Sequence, residues 1–211
     1  MNLNIDEYYN LNYKSKKRKM FSEGGCHNEK KASENLKKLV KNHPFMKNKN
    51  NKNVMEIGFN TGHSADTFLL NNDTINLISF DIGIHDYVKV GKEYIDMKYP
   101  NRHKLIIGDS TKSVPEYIKN NNDIKFDIIY IDGGHEYNIA KQDLINCHKL
   151  AHKNTLVILD DVIRNEDNIK HWNIGPNKAW KESIDSNIIQ EYNQFDYNPG
   201  RGIAYGKYIF N

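Results

Sequence analysis

Five short apolar runs recur along this chain, and each ends on or beside an acid. They are Val54-Met55-Glu56-Ile57-Gly58, Asn76-Leu77-Ile78-Ser79-Phe80-Asp81, Lys104-Leu105-Ile106-Ile107-Gly108-Asp109, Phe126-Asp127-Ile128-Ile129-Tyr130-Ile131-Asp132 and Thr155-Leu156-Val157-Ile158-Leu159-Asp160. The runs are continuously apolar and do not alternate, as strands covered on both faces of a parallel sheet require. Between them stand segments with helical spacing, such as Tyr137 to Leu150 with Ala140, Leu144, Cys147 and Leu150. This alternation predicts an α/β fold with a doubly wound, mostly parallel sheet. Asn187 to Phe195 and Gly202 to Phe210, joined by Asn198-Pro199-Gly200, predict a C-terminal antiparallel hairpin at the sheet's end.

The chain before these runs reads differently. Met1 to about Asn53 is polar and basic, with Lys14-Ser15-Lys16-Lys17-Arg18-Lys19 in its middle. Ala32, Leu36, Leu39 and Val40 predict one amphipathic helix over Glu29 to Asn42, with Pro44 at its exit and a solvated connection from Lys47 to Asn53. The expected organisation is an N-terminal helical extension or lid, residues 1–53, followed by one domain, residues 54–211. Thirty basic residues against 27 acidic leave a net charge of only +3. That balance argues against nucleic acid as the main partner, and the basic run reads as a solvated arm. Cys26 and Cys147 have no CxxC or disulfide-rich spacing, and the start MNLNIDEYYN lacks a signal peptide's apolar core. No run approaches the ~20 apolar residues of a membrane span. A cytoplasmic, reducing setting is expected; the oligomeric state, monomer or homo-oligomer, stays open.

In an open parallel sheet the ligand crevice lies outside the carboxyl ends of the strands. Glu56, Asp81, Asp109, Asp132 and the pair Asp160-Asp161 all converge there. Each alone reads equally well as a helix cap or turn residue. Clustered carboxylates repel unless something positive or hydrogen-bonding sits among them, so the group points to a ligand. The first run leads into Glu56-Ile57-Gly58-Phe59-Asn60-Thr61-Gly62-His63-Ser64, an ExGxxxG spacing and not the GxGxxG that cradles a pyrophosphate. A glycine turn beside a carboxylate suits a ligand with an amino group and a positive centre. Asp81 then stands near the offset, ~20 residues, at which an acid takes ribose hydroxyls. Asp109-Ser110 is placed to accept a hydrogen bond from an adenine amine.

Glu56 to Ser64, Asp81 and Asp109 resemble the cofactor motifs of class I S-adenosylmethionine-dependent methyltransferases over about residues 54–211. The resemblance implies a Rossmann-like methyltransferase fold, with Gly58, Asn60 and Gly62 lining the methionine part, Ser64 closing the turn, Asp81 at the ribose, and Asp109 with Ser110 at the adenine. Glu56 would support the turn from beneath or help hold the ammonium end. A second cluster, Ile131-Asp132-Gly133-Gly134-His135-Glu136-Tyr137 with Asp143 and Leu159-Asp160-Asp161-Val162, is similar to the macrocin O-methyltransferase type and more distantly to catechol O-methyltransferases. That similarity implies a metal-dependent enzyme acting on sugar hydroxyls, with Asp132, Asp160 and Asp161 binding a divalent cation, magnesium first, and His135 as general base. Magnesium wants oxygen ligands, and coordination lowers the pKa of a hydroxyl.

Other roles stay open for the same residues: a helix cap for His135, a cap for Asp161, and a solvated or helix-supporting acid for Asp143. Trp172 is expected to stack on a sugar or aromatic ring. Arg201 is expected at the surface, or reaching an anionic substrate group. Gly24-Gly25-Cys26-His27 is a candidate lid. His27, His63, His85, His103, His148, His152 and His171 are expected in surface or packing roles. The expected activity is methyl transfer to a small-molecule hydroxyl. A catechol or phenol acceptor is the first alternative, an RNA-modifying or nucleic-acid-binding protein the second. No Asn/Asp-Pro-Pro-Tyr motif follows the fourth run, which argues against methylation of planar nitrogens; the ExGxxxG spacing argues against a nicotinamide oxidoreductase.

Overall fold

A computed structural model describes residues 3–13, 30–42, 51–197 and 200–210. The basic run 14–19, the Gly24-to-His27 segment, Pro44, most of the 47–53 connection and the turn residues Asn198 and Pro199 lie outside the described residues. Seven strands form one sheet: β1 (Lys52–Ile57), β2 (Ile75–Asp81), β3 (His103–Ile107), β4 (Phe126–Ile131), β5 (Ala151–Asp160), β6 (Ile189–Asp196) and β7 (Gly202–Tyr208), in the order β3-β2-β1-β4-β5-β7-β6. The first five pair in parallel. The order reverses between β1 and β4, the switch point at which such sheets bind ligands.

The described helices are α1 (Ile5–Asn12), α2 (Lys30–Asn42), α3 (His63–Asn71), α4 (Tyr87–Lys98), α5 (Ser110–Asn120), α6 (Tyr137–His148) and α7 (Ile174–Asp185), with a 3-10 turn at Glu166–Asn168. Two buried clusters flank the sheet. Val54, Ile128 and Ile158 face one, with α1 to α4. Met55, Ile129 and Val157 face the other, with α5 to α7. Successive residues of one strand therefore enter opposite cores, which is why the runs are apolar without alternation. Ile5, Tyr9, Leu36 and Val40 join the first cluster, so the N-terminal helices share the domain's core.

Four details depart from the sequence expectations. β1 begins at Lys52, so Lys52, which is buried, and Asn53 pair with β2 and do not belong to the solvated connection. β5 begins at Ala151, ahead of Thr155, because Ala151 pairs with Phe126 across a bulge. The buried Thr155 hydroxyl closes that bulge, donating to the Phe126 carbonyl at 2.6 Å and accepting from the His152 N–H at 2.8 Å. α7 begins at Ile174, ahead of Asn177, with Pro176 in its first turn, where a missing N–H costs nothing. The hairpin is present, but its second strand enters the sheet: β7 lies antiparallel between β5 and β6, pairing Asp160 with Ile203. No described helix is long and apolar enough to cross a membrane.

Asp143 is not solvated. It is fully buried on α6, both carboxyl oxygens lack a hydrogen-bond partner, and Oδ2 lies 3.2 Å from where a Cβ on Gly133 would stand. Burial pushes its carboxyl up to about 7, and the nearby Ser110 side chain offsets only part of this. Between the ordinary carboxylate range and about 7, the folded chain keeps a proton that the unfolded chain has released. Stability therefore falls as pH rises through that window.

Two measurements follow from this packing. Leu36→Ala should cost roughly 2–4 kcal/mol in urea unfolding, because a 2% exposed side chain is removed from the common core; an independent extension would leave the domain's transition unmoved. In thermal melts, Asp143→Asn should gain on the unaltered protein between pH 5 and pH 8, by about 1 kcal/mol or more, since the variant has no proton to lose.

Candidate active site

The glycine turn after β1 is built by close approach. Gly58 has φ +93°, and a Cβ there would stand 1.8 Å from the Asp132 carbonyl oxygen, so no other residue fits. The Gly58 N–H donates to the Phe80 carbonyl and the Asp132 N–H to the Ile57 carbonyl, both at 2.8 Å, which extends the ladder past the strand ends. The turn is thereby fixed between the ends of β2 and β4. Asn60, at φ +50°, donates its N–H to Asp81 Oδ2 at 2.7 Å, and Asp81 Oδ1 accepts from the Gly83 N–H at 2.7 Å.

Glu56 lies beneath this turn. It is wholly buried, accepting from the Ser64 hydroxyl at 2.7 Å and the Ser79 hydroxyl at 2.6 Å. Burial pushes its carboxyl up to about 7 despite those two donors. Its carboxyl is thus enclosed by α3 and β2 and does not line the cavity.

A cavity of about 740 Å³ opens at the carboxyl ends of the strands. Gly58, Asn60, Asp81, Asp109 and Ser110 line one half; Asp132, His135 and Asp161 line the other. Glu56, Gly62, Ser64 and Asp160 are not among the lining residues. Gly62 sits at the N-cap of α3 in the left-handed region. Asp109 caps α5, accepting from the Thr111 N–H at 3.0 Å and its hydroxyl at 2.7 Å, and these bonds hold its carboxyl below the usual range. Ile82 and Ile84 line the same half while 58% and 71% exposed, an apolar wall that fits a flat ligand face.

The other half is electrostatic. Asp161 is 2% exposed at φ +56°, with its carbonyl held by the Asn173 side-chain amide at 3.0 Å and that of Asn177 at 3.4 Å. Its Oδ1 accepts from Arg201 Nη1 at 3.1 Å. Its Oδ2 lies 3.1 Å from His135 Nε2 yet has no hydrogen bond of good geometry. Asp132 accepts from the Tyr130 hydroxyl at 3.3 Å, and Asp160 is among the carboxyls that act on it. Burial, then neighbouring carboxylates, push Asp132 up and Asp160 well up. The contact with Asp161 raises His135.

The three predicted aspartates are thus neighbours. Among the described residues, however, the one group whose ligand atoms all lie within 4.8 Å of one another is Asp132, His135 and Asp161, with Asp160 behind it. A buried, unbonded carboxylate oxygen facing an imidazole, with a second carboxylate in reach of the same point, is a donor set that fits a divalent cation.

Three side chains line the cavity where the sequence did not place them. Arg201 lines the cavity, paired with Asp161 and 5.6 Å over the Trp172 ring, so a surface position is overturned. β7 carries it there, by placing its N-terminal end beside the end of β5. His85 and His171 also line the cavity, His85 stacked on Tyr87 at 4.7 Å. Trp172 lines it as expected, with its indole N–H donating to the Gly200 carbonyl at 3.0 Å. No periodicity marks these four; only their closeness to strand ends does.

The fold has parallels among solved structures. An O-methyltransferase from Bacillus cereus, in complex with SAH, superposes with TM-score 0.72 at 17% identity, over 97% of this chain and 90% of that one. CalS11, a TDP-rhamnose 3'-O-methyltransferase in calicheamicin biosynthesis, superposes with TM-score 0.61 at 20% identity, over 83% and 76%. No curated protein matches in sequence. A family model described as a methyltransferase domain matches residues 55–162, from the glycine turn through the aspartate pair. That stretch is half of the chain and carries both halves of the cavity; the chain belongs to the methyltransferase domain family and is, by that membership, an S-adenosylmethionine-dependent methyltransferase.

Proposed function

We propose that the chain is a divalent-metal-dependent O-methyltransferase whose acceptor is a hydroxyl of a small molecule, a sugar or sugar-bearing compound. The observation that carries this reading is the Asp132–His135–Asp161 group opening into the same cavity as the glycine turn. A cation site beside a sulfonium site is what hydroxyl methylation needs, because a protonated hydroxyl is a weak nucleophile. The sugar assignment takes support from CalS11, whose acceptor is TDP-rhamnose. A catechol or other phenol is the second reading, favoured by the Trp172 ring on the cavity wall.

Residues 54–211 act as the catalytic domain and residues 1–53 as its extension. Gly58 and Asn60 receive the amino-acid end of the cofactor, with Glu56 and Ser64 bracing the turn and Gly62 opening α3 behind it. Asp81, its carboxylate oriented by two backbone N–H groups, takes the ribose hydroxyls. Asp109 and Ser110 meet the adenine edge while Ile82 and Ile84 flank its faces. Asp132 and Asp161 hold the cation, magnesium first, with Asp160 supporting them. When bound, the cation supplies Lewis acidity that lowers the acceptor hydroxyl's pKa. His135 takes the hydroxyl proton, and the Asp161 carboxylate 3.1 Å away stabilises the imidazolium that results. The free, buried thiol of Cys147 agrees with a reducing cytoplasm.

The test is methyl transfer from S-adenosylmethionine to a panel of nucleotide sugars and catechols, read by mass spectrometry. Chelator should abolish the product and added magnesium restore it; equal turnover in chelator sinks the metal dependence. Asp160→Ala and Asp161→Asn should remove turnover while S-adenosylhomocysteine still binds. Loss of that binding as well would make both residues structural. His135→Ala should lower kcat by ~10²-fold or more, and the unaltered enzyme should lose activity as falling pH protonates that imidazole.

A further inference from the structure

None of the residues of α1 lines the cavity, yet the helix grips both segments that form its cofactor half. Tyr9 is 2% exposed, and its hydroxyl donates to the Tyr87 carbonyl at 2.6 Å and lies 3.1 Å from the Thr61 carbonyl. Thr61 sits inside the glycine turn, next to Asn60; Tyr87 opens α4, and with Val88 it lines the cavity opposite. One phenol hydroxyl therefore spans the seam between the two walls. Gly91 makes the room: a Cβ there would stand 2.6 Å from the Tyr9 oxygen and 2.4 Å from the Thr61 oxygen.

A second link runs in parallel. Asp6 Oδ1 lies 2.9 Å from His63 Nε2, and His63 Nδ1 lies 2.5 Å from the Thr61 hydroxyl. α1 is itself defined, with Asn4 and Glu7 closing a capping box at 2.9 and 2.8 Å and Tyr8 packed on Tyr94 at 5.4 Å.

The turn it holds needs holding. Gly58, Asn60 and Gly62 all have positive φ. For a non-glycine residue such as Asn60 this conformation is costly, and it persists only where the surroundings over-determine it. The Asp81 carboxylate constrains the turn from the cavity side and Tyr9 from behind.

We infer that Tyr9 is a positioning residue for the cofactor site: its hydroxyl sets the spacing of the glycine turn and α4, so that docking of α1 and binding of cofactor are coupled. The inference rests on the reading that this half of the cavity holds the cofactor. Coupling of this kind is reciprocal, so cofactor must also tighten α1.

The experiment is calorimetric titration of the full chain with S-adenosylhomocysteine, well below the melting temperature, with amide exchange measured in parallel. Tyr9→Phe, which keeps the ring and removes the hydroxyl, should weaken binding by about 5- to 20-fold. Tyr8→Phe, which keeps the ring packed on Tyr94 of α4 and removes a hydroxyl that bonds neither the Thr61 nor the Tyr87 carbonyl, should leave it within about 2-fold. In the unaltered protein, S-adenosylhomocysteine should slow exchange across residues 5–12, and in Tyr9→Phe it should not. An unchanged Kd for Tyr9→Phe, even with a lowered Tm, overturns the coupling and leaves Tyr9 a packing residue. So does exchange in residues 5–12 that ignores the ligand. Should Tyr9→Phe not fold, the exchange measurement on the unaltered protein decides alone. No binding by the unaltered protein overturns the cofactor site itself, a different result from equal binding by both.

Discussion

The structure depends on the contact between Gly58 and the Asp132 carbonyl. These two residues end neighbouring parallel strands at the point where the strand order reverses, and they touch only because one of them has no side chain. The backbone bonds on either side, Gly58 to Phe80 and Asp132 to Ile57, draw three strand ends together. The glycine-turn side and the Asp132–His135–Asp161 side then face one cavity. Group transfer needs donor and acceptor within near-attack distance, and the backbone at this contact sets how the two sides of the cavity face each other.

Around this contact the chain balances a concentration of carboxyls, two of them, Glu56 and Asp161, buried. Each is treated differently. Glu56 is surrounded by hydroxyls and sealed from the cavity; Asp81 is bound by backbone N–H groups; Asp109 is consumed partly in capping a helix. Only Asp132, Asp160 and Asp161 are left to repel one another. The protein offsets that repulsion with Arg201 and His135 on Asp161 and with the Tyr130 hydroxyl on Asp132. Arg201 reaches Asp161 because β7 is threaded between β5 and β6, so the topology of the C-terminal hairpin is part of the site's electrostatics. α1 meets the segments behind the cavity from the other side, through the Tyr9 hydroxyl on two backbone carbonyls and through the Asp6–His63 contact.

The strands and the acids at their ends were legible because both follow local rules: a run covered on two faces must be apolar throughout, and a parallel sheet puts its ligand at the carboxyl ends. Asp143 was not legible, since its place on α6 is that of a solvated acid, and only the packing of Gly133 against it shows that it is buried. Arg201, His85 and His171 were missed for a related reason: they reach the cavity from loops and from an antiparallel strand, which carry no periodic signal. Asp160 and Asp161 were legible as a pair, but which of them faces His135 depends on the left-handed backbone at Asp161 and on the two asparagines that hold its carbonyl.

By itself, then, the sequence determined the alternation of strand and helix, the edge of the sheet at which chemistry occurs, and the acids gathered there. Each of these is written within a few residues of itself. Tertiary structure alone decided the insertion of β7, the pairing of Arg201 with Asp161, the burial of Asp143 and the reach of Tyr9 across the seam of the cavity. These join residues far apart along the chain, and their energies depend on solvent exclusion and on distances that no local pattern encodes.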